Sequence, residues 1–380
     1  MHLVFDFDGT ITQQDTIGEL ARSAIELQRN KHGHDLQASW DQVVQSYVAD
    51  YRHYRDNHPS PEDTRKSLDE EIHFLSGMKN VEETSLERVA KSRIFAGLDA
   101  GTLSQAGADA VREGRIKIRD GFVDMMNLAG ERGWGASVIS VNWSRAFIRG
   151  ALQPHTLEVI ANEPATDGVI TGPEFLGGRM TNMGEKREAL RHLVKEKEGK
   201  VVYFGDSTTD MECLLAGGVV ISQDEESSLL RTLRRVGVSV PHVGEKSGGK
   251  IFWARDFREV LESGLLNEYM CLYGRVEFSC SHERWGLCVK PCHMAQDFQA
   301  QRTEYDCVIK RPHVPTSRRL QRRCDKCNAL DDKFTKATKC IQDLAEKVKK
   351  MEYGEKKKKK GEEAKREQGL EIINEDDEGA

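Results

Sequence analysis

Val4-Phe5-Asp6-Phe7-Asp8-Gly9-Thr10 lies almost at the start of the chain, and its reading decides how the remainder is organised. Residues 2–7 form an apolar run that two aspartates and a glycine break, the pattern of a buried strand ending in a tight loop. In an open parallel sheet, ligands bind in the crevice beyond the carboxyl ends of the strands, so Asp6 and Asp8 are expected to face that crevice. Side chains two apart on an extended backbone point the same way. Paired carboxylates repel unless a cation or a shared proton relieves them, which points to a hard metal with oxygen ligands, Mg2+.

The stretch Asp6-Phe7-Asp8-Gly9-Thr10-Ile11-Thr12 resembles the DxDGT signature of the haloacid-dehalogenase-like hydrolases. The resemblance implies an α/β fold with a Rossmann-like parallel sheet core, Asp6 as nucleophile and Asp8 as general acid and base. The chemistry agrees. A carboxylate attacking phosphorus gives an aspartyl phosphate and splits one hard displacement into two easier ones. The second acid protonates the leaving alcohol and then activates water. Dehalogenase members lack that second acid, so its presence argues for phosphate chemistry.

Residues 15–115 read mostly as helix, with Ile17, Leu20, Ala21, Ala24, Ile25 and Leu27 on one stripe and Asp15 or Thr16 available as its cap. Pro59-Ser60-Pro61 interrupts the run, and Leu68, Ile72 and Leu75 resume a helical period. A helical insertion after the first strand is similar to the cap of the phosphoserine-phosphatase-like and methylthiopentenyl-phosphate phosphatase-like branch.

A helix over about 121–132 precedes a small strand over 135–140 that ends in Ser140. The resemblance implies a phosphate-binding hydroxyl at that strand end, with Ser137 and Ser144 as competing choices. Val159-Ile160 and Val169-Ile170 flank Thr166-Asp167-Gly168 and suggest a small hairpin. Gly184-Glu185-Lys186 opens a helix, where a lysine opposes the macrodipole but would join the helix terminus in holding a phosphate. The resemblance assigns Lys186 that role, with Arg179 or Arg187 as alternatives. Val201 to Asp210 repeats the strand, glycine and acid pattern, and Gly205-Asp206-Ser207-Thr208-Thr209-Asp210 fits the family's GDxxxD metal motif. The implied metal set is Asp6, Asp8 through its backbone carbonyl, Asp206 and Asp210, the last orienting a ligand or a metal-bound water. Residues 218–221 and 236–240 read as further strands, and Phe257 to Leu265 as a closing helix.

The chain has 380 residues, a formal net charge of -6 and 31% charged residues, with room for two or three domains. No apolar run is long enough to cross a bilayer and no leader precedes the first strand, so an intracellular, cytoplasmic protein without membrane association is expected. Of nine cysteines, Cys213 stands alone before residue 271. Cys288-xxx-Cys292-His293 and Cys324-xx-Cys327, with Cys280, His282 and Cys307 nearby, offer zinc ligands or plain reduced thiols. Leu330 to Met351 carries a helical stripe fit for a protein partner. Lys356 to Lys360 can serve as a nuclear address, but without aromatic interleaving it is not read as a nucleic-acid interface.

These readings give a catalytic core over 1–14 and 116–268, a helical cap over 15–115, a Cys-rich and helical extension over 269–350 and a charged disordered tail over 351–380. The expected activity is Mg2+-dependent hydrolysis of a small phosphorylated metabolite through an aspartyl phosphate. The alternative is an interaction protein with a residual phosphatase core and a partner- or zinc-binding C-terminal region.

Overall fold

The computed structural model describes residues 1–195, 200–245, 250–266, 271–291, 299 and 310–373. The chain divides into two compact units, Met1–Glu268 and Tyr269–Ala380. In the first unit the strands in chain order are β1 (His2–Phe5), β2 (Gly135–Ile139), β3 (Glu158–Ile160), β4 (Glu163–Pro164), β5 (Ile170–Thr171), β6 (Val201–Gly205), β7 (Gly218–Ile221) and β8 (Ile251–Ala254). Six of them form one parallel sheet in the order β3-β2-β1-β6-β7-β8. The chain moves outward from β1 through β2 to β3 and then returns to the opposite side of β1 as β6. That reversal opens a crevice beyond the carboxyl ends of β1 and β6, where Asp6 and Asp206 follow their strands.

Central strands buried on both faces read as continuous apolar runs, and β1 and β6 do so. On one face Phe5 stacks on Phe204 with ring centroids 4.9 Å apart, and Phe122 and Phe257 meet Phe5 edge-on at 5.6 and 5.7 Å. These last two rings come from α6 (Phe122–Arg132) and α11 (Phe257–Ser263). On the other face Val4, Ile139, Tyr203 and Val220 pack with Leu190 and Leu193 of α8 (Met183–Lys195), Met211 and Leu214 of α9 (Met211–Leu214) and Leu229 and Leu233 of α10 (Ser228–Arg235).

Between β1 and α6 the chain builds α1 (Ile17–His32), α2 (Gln37–Asp56), α3 (Leu68–Gly77), α4 (Lys79–Ser92) and α5 (Ala100–Arg112). Pro59 and Pro61 fall in the gap between α2 and α3, whose start is fixed by a capping box of Ser67 and Glu70. The insertion has its own core of Leu20, Ala24, Ile25, Leu86, Val89, Phe95 and Leu103, closed by Phe147 of α7 (Arg145–Ala151).

Three local readings change. Glu158–Ile160 pairs parallel with β2 as the sheet edge, so the hairpin is the shorter pairing of β4 with β5. Residues 236–240 are not a strand: Val238 and Val240 pack sideways on the core, and the place beside β7 goes to Ile251-Phe252-Trp253-Ala254. Thr16 does not cap α1. Asp15 accepts from the Ile17 amide at 2.9 Å, while the Thr16 hydroxyl turns to Asp8.

The second unit contains β9 (Cys271–Phe278), β10 (Glu283–Lys290), β11 (Lys310–Pro312), β12 (Arg318–Leu320) and one long helix, α12 (Asp325–Ile373). The helix continues through residues 351–373, where the sequence reading places a disordered tail, because the Glu, Lys, Arg and Gln that dominate there are good helix formers. Residues 374–380, with Glu375 to Glu378, lie outside the described residues. Among the described residues no helix is long and apolar enough to cross a membrane.

The aromatic cluster at the centre of the sheet predicts a large effect of truncation. Phe5→Ala should destabilise the first unit by about 3–5 kcal/mol, measured as a lowered denaturant midpoint at constant slope.

Candidate active site

Asp6 ends β1 with its amide donating to the Phe204 carbonyl at 2.8 Å, so the neighbouring strand fixes where the acid leaves the sheet. Its Oδ1 accepts from Lys186 Nζ at 2.7 Å. Its Oδ2 carries no hydrogen bond among the described residues, and Asp6 lines a cavity of about 470 Å3. Lys186, on the first turn of α8, is fully buried and also donates to Asp210 Oδ1 at 2.6 Å. Burial pulls the ammonium's pKa down, but the Asp210 and Asp6 carboxylates outweigh it and hold the group above its ordinary value.

Asp210 is saturated. Tyr203 donates to its Oδ1 at 2.7 Å, and its Oδ2 accepts from the Asp206 and Ser207 amides at 3.2 and 3.1 Å and from the Ser207 hydroxyl. It therefore holds Lys186 and the loop after β6 rather than opening toward the cavity. Asp206 accepts from the Thr10 hydroxyl at 2.9 Å and lines the cavity with Asp6 and Asp8.

Two glycines make these approaches possible. Gly9 has φ +72°, and a Cβ there would sit 2.2 Å from Asp206 Oδ2. A Cβ on Gly205 would come within 2.5 Å of Asp210 Cβ.

Asp8 is oriented by three donors. The Thr16 amide and hydroxyl reach its Oδ1 at 2.8 and 2.5 Å, and Asn142 Nδ2 reaches its Oδ2 at 2.8 Å. Burial, reinforced by Asp15, nevertheless pushes its carboxyl up to about 6. Ser140 is fully buried at the end of β2, beside the cavity-lining Val141, and accepts from the Asn142 amide at 3.1 Å. The competing hydroxyls are engaged elsewhere: Ser137 meets His2 and Glu158, while Ser144 caps α7 and donates to Glu163. Arg179 pairs with Glu83 and Arg187 with Glu212, which leaves Lys186 as the described cation on the cavity wall.

Residues without a readable spacing complete the site. The Arg119 guanidinium donates to the carbonyls of Thr10 at 2.9 Å and Thr12 at 3.2 Å, and to that of Gly9, clamping the loop behind Asp8. Asn142, Thr16, Thr10 and Tyr203 are likewise visible only through the atoms they touch.

Ligating atoms of Asp6, Asp206 and Asp210 lie within 4.8 Å of one another. Burial, the neighbouring Asp210 and the other acids push the Asp6 carboxyl well above the usual range, and burial with Asp210 pushes Asp206 up to about 7. One ammonium among three carboxylates leaves an excess of negative charge with oxygen donors only, a donor set that fits a hard divalent cation.

The family profile described as haloacid dehalogenase-like hydrolase matches residues 3–215. The chain belongs to that family. A CTO1 family protein of Schizosaccharomyces pombe is 31% identical over 237 residues, covering 56% of this chain and 78% of that protein. The bifunctional TH2 protein, mitochondrial, of Arabidopsis thaliana is 25% identical, covering 62% of this chain and 41% of that protein. A solved structure titled as a phospho-aspartyl intermediate analogue of phosphoserine phosphatase is 18% identical with a TM-score of 0.39, covering 69% of this chain and 97% of its own.

The crowding of acids makes stability pH-dependent when no divalent ion is bound. A carboxyl with a raised folded-state pKa contributes stability that is complete at low pH and is lost as pH rises through that pKa, here from about 4 to about 7 for Asp206. In EDTA, Asp206→Asn should therefore be more stable than the parent above pH 7, by up to about 4 kcal/mol. The difference should vanish near pH 4 in thermal melts taken across that range.

Proposed function

We propose that the chain is a Mg2+-dependent phosphomonoesterase acting on a small phosphorylated molecule through an aspartyl phosphate. The observation that carries this reading is the Lys186 ammonium buried between Asp6 and Asp210, which leaves one oxygen of the cavity-lining Asp6 without a hydrogen bond among the described residues. That oxygen attacks phosphorus and the ester P–O bond breaks. Asp8 delivers its proton to the departing oxygen and later takes one from the water that hydrolyses the aspartyl phosphate. A carboxyl held near pKa 6 suits both steps close to neutral pH.

Lys186 and the Ser140 hydroxyl serve the non-bridging oxygens, Ser140 having its proton to give because the Asn142 amide occupies its oxygen. Asp6, Asp206 and the Asp8 backbone carbonyl would hold Mg2+, with Asp210 orienting from behind, and the bound ion would neutralise charge on the transferring phosphoryl group. The five-helix insertion acts as a cap that keeps water from the site.

The cap side of the cavity speaks to the leaving group. Trp40, Val43, Tyr47 and Leu86 give it an apolar and aromatic wall, and the polar groups added there are Asp15, Glu82, Ser85 and the Tyr47 hydroxyl, which donates to Glu82 at 2.9 Å. With Lys186 committed to the phosphate, no described cation remains to receive a carboxylate. The substrate is read as the phosphate ester of an uncharged or cationic, partly apolar alcohol.

Asp6→Asn should abolish Mg2+-dependent phosphate release from an aryl phosphate, and turnover retained in that variant would overturn the assignment. Asp8→Asn should lower kcat by about 10²- to 10⁴-fold. Across a panel of esters, aryl and amine-bearing phosphates should exceed phosphoserine in kcat/KM by about tenfold or more, the worth of roughly 1.4 kcal/mol. A preference for phosphoserine would refute the leaving-group reading.

A second role, protein association, is favoured by one feature of α12. Leu330, Phe334, Ile341, Leu344, Val348 and Met351 are exposed, and with Ala337 they follow alternating steps of four and three residues, the seam of a two-stranded coiled coil. In a parallel pairing with a second copy, Lys326 would face Asp331 of the opposite helix, so the charges complement. The full-length chain should then sediment as a dimer, and Ile341→Lys with Leu344→Lys should make it monomeric. A parent chain that is monomeric at the same concentration would remove this role.

A further inference from the structure

We propose that Cys280, His282, Cys324 and Cys327 bind one zinc ion as a structural site of the C-terminal unit. One ligating atom from each of these residues lies within 4.8 Å of all the others. Cys327 Sγ and His282 Nδ1 are 3.3 Å apart, and the Cys324 amide donates to Cys280 Sγ at 3.3 Å. Ligands of a tetrahedral zinc, at about 2.3 Å for sulfur and about 2.0 Å for nitrogen, are separated by roughly 3.5–3.8 Å. The four atoms thus need shifts of only about 1 Å to surround one ion. Cys280, Cys324 and Cys327 are free thiols, so no disulfide competes for them in the structure.

The backbone is arranged to bring the two ligand pairs together. Cys280 and His282 sit in the turn between β9 and β10, which is closed by hydrogen bonds from the Phe278 amide to the His282 carbonyl and from the Ser281 amide to the Phe278 carbonyl, both 2.9 Å. Ser281 takes φ +60°, an uncommon conformation for a residue with a side chain, so the turn has a specific shape rather than a default one. The other pair, Cys324-xx-Cys327, opens α12 with the tight spacing of a zinc knuckle. β12 runs parallel to β9 with Leu320 opposite Phe278, and the Ser279 amide donates to the Arg322 carbonyl at 3.0 Å. Segments more than forty residues apart in sequence are in this way registered against each other at the cluster.

Apolar burial is sparse among the described residues of the unit. Among its described residues Phe278 is the one buried hydrophobic side chain, while Leu287 and Val289 are exposed. With so little apolar burial among its described residues, the unit gains from a cross-link, and a thiolate-rich metal site supplies one. Three sulfurs and an imidazole select zinc over magnesium or calcium. Cys288 and Cys340 stand outside the cluster, and Cys292, His293 and Cys307, which the sequence also offers, lie outside the described residues.

The test uses the full-length chain carrying Asp206→Asn, so that metal at the oxygen-rich site does not contribute. After reconstitution with zinc sulfate and desalting, elemental analysis should find one zinc per chain. A mercurial thiol reagent should release it to a metallochromic dye. Cys324→Ser with Cys327→Ser should lose it, and Cys288→Ser should keep it. Cobalt(II) in place of zinc should show the thiolate charge-transfer and intense visible bands of a tetrahedral sulfur site. His282→Cys should retain cobalt with those bands shifted, which keeps the assignment testable even if the double serine variant fails to fold. Substoichiometric zinc in the parent, zinc unaffected by loss of both Cys324 and Cys327, or a cobalt spectrum lacking thiolate bands would each overturn the proposal. None of these readouts depends on phosphatase activity.

Discussion

Everything at the catalytic rim depends on one ammonium. Lys186 is wholly enclosed, yet it stays charged because Asp6 and Asp210 each take one of its protons in a hydrogen bond of 2.6–2.7 Å. A buried charge of this kind is tolerated only when paired and fully hydrogen-bonded. Asp210 is in turn anchored by Tyr203 and by two amides of the loop after β6, so the position of the cation is set by two strands, β1 and β6, and a helix. Removing either acid would strand the lysine, and removing the lysine would leave adjoining carboxylates facing each other.

Sheet topology explains why such a cluster can exist at all. β1 lies beside both β2 and β6, and the chain reverses direction of travel across β1, so the loops after these strands diverge and leave room between them. The aromatic packing beneath, with Phe5 stacked on Phe204, fixes the register that places Asp6 beside the loop bearing Asp206. The two apolar faces of the sheet thereby set the separation of the acids above it.

Much of this was legible from residue order. Asp6, Asp8 and the Gly205 to Asp210 segment declare themselves because each ends an apolar run with acids and a glycine, a local pattern that survives without any knowledge of the fold. Choices between like residues were not legible: Ser140 against Ser137 and Ser144, or Lys186 against Arg179 and Arg187, differ only in which partners the tertiary structure supplies. Arg119, Thr16 and Asn142 carried no signal, since each acts through a hydrogen bond to a residue far away in sequence or to one whose separation fits no familiar motif. The strand pattern of residues 236–240 misled because alternating valines fit a half-buried loop as well as a sheet edge, whereas Ile251-Phe252-Trp253-Ala254 forms the edge itself. At the C-terminus, the CxxC spacing was readable, but its pairing with Cys280 and His282 required the hairpin and the start of the helix to be seen together.

Thr16 immediately precedes α1 and gives both its amide and its hydroxyl to Asp8. On the reading proposed above, the acid that handles the proton is thus tethered to the start of the helical insertion as well as, through Asn142, to the loop after β2. A swing of that first helix away from the crevice would release two of the three hydrogen bonds on Asp8 and none on Asp6, so under the proposed roles opening would loosen the aim of the acid while the nucleophile stayed put, linking turnover to enclosure without any dedicated sensor.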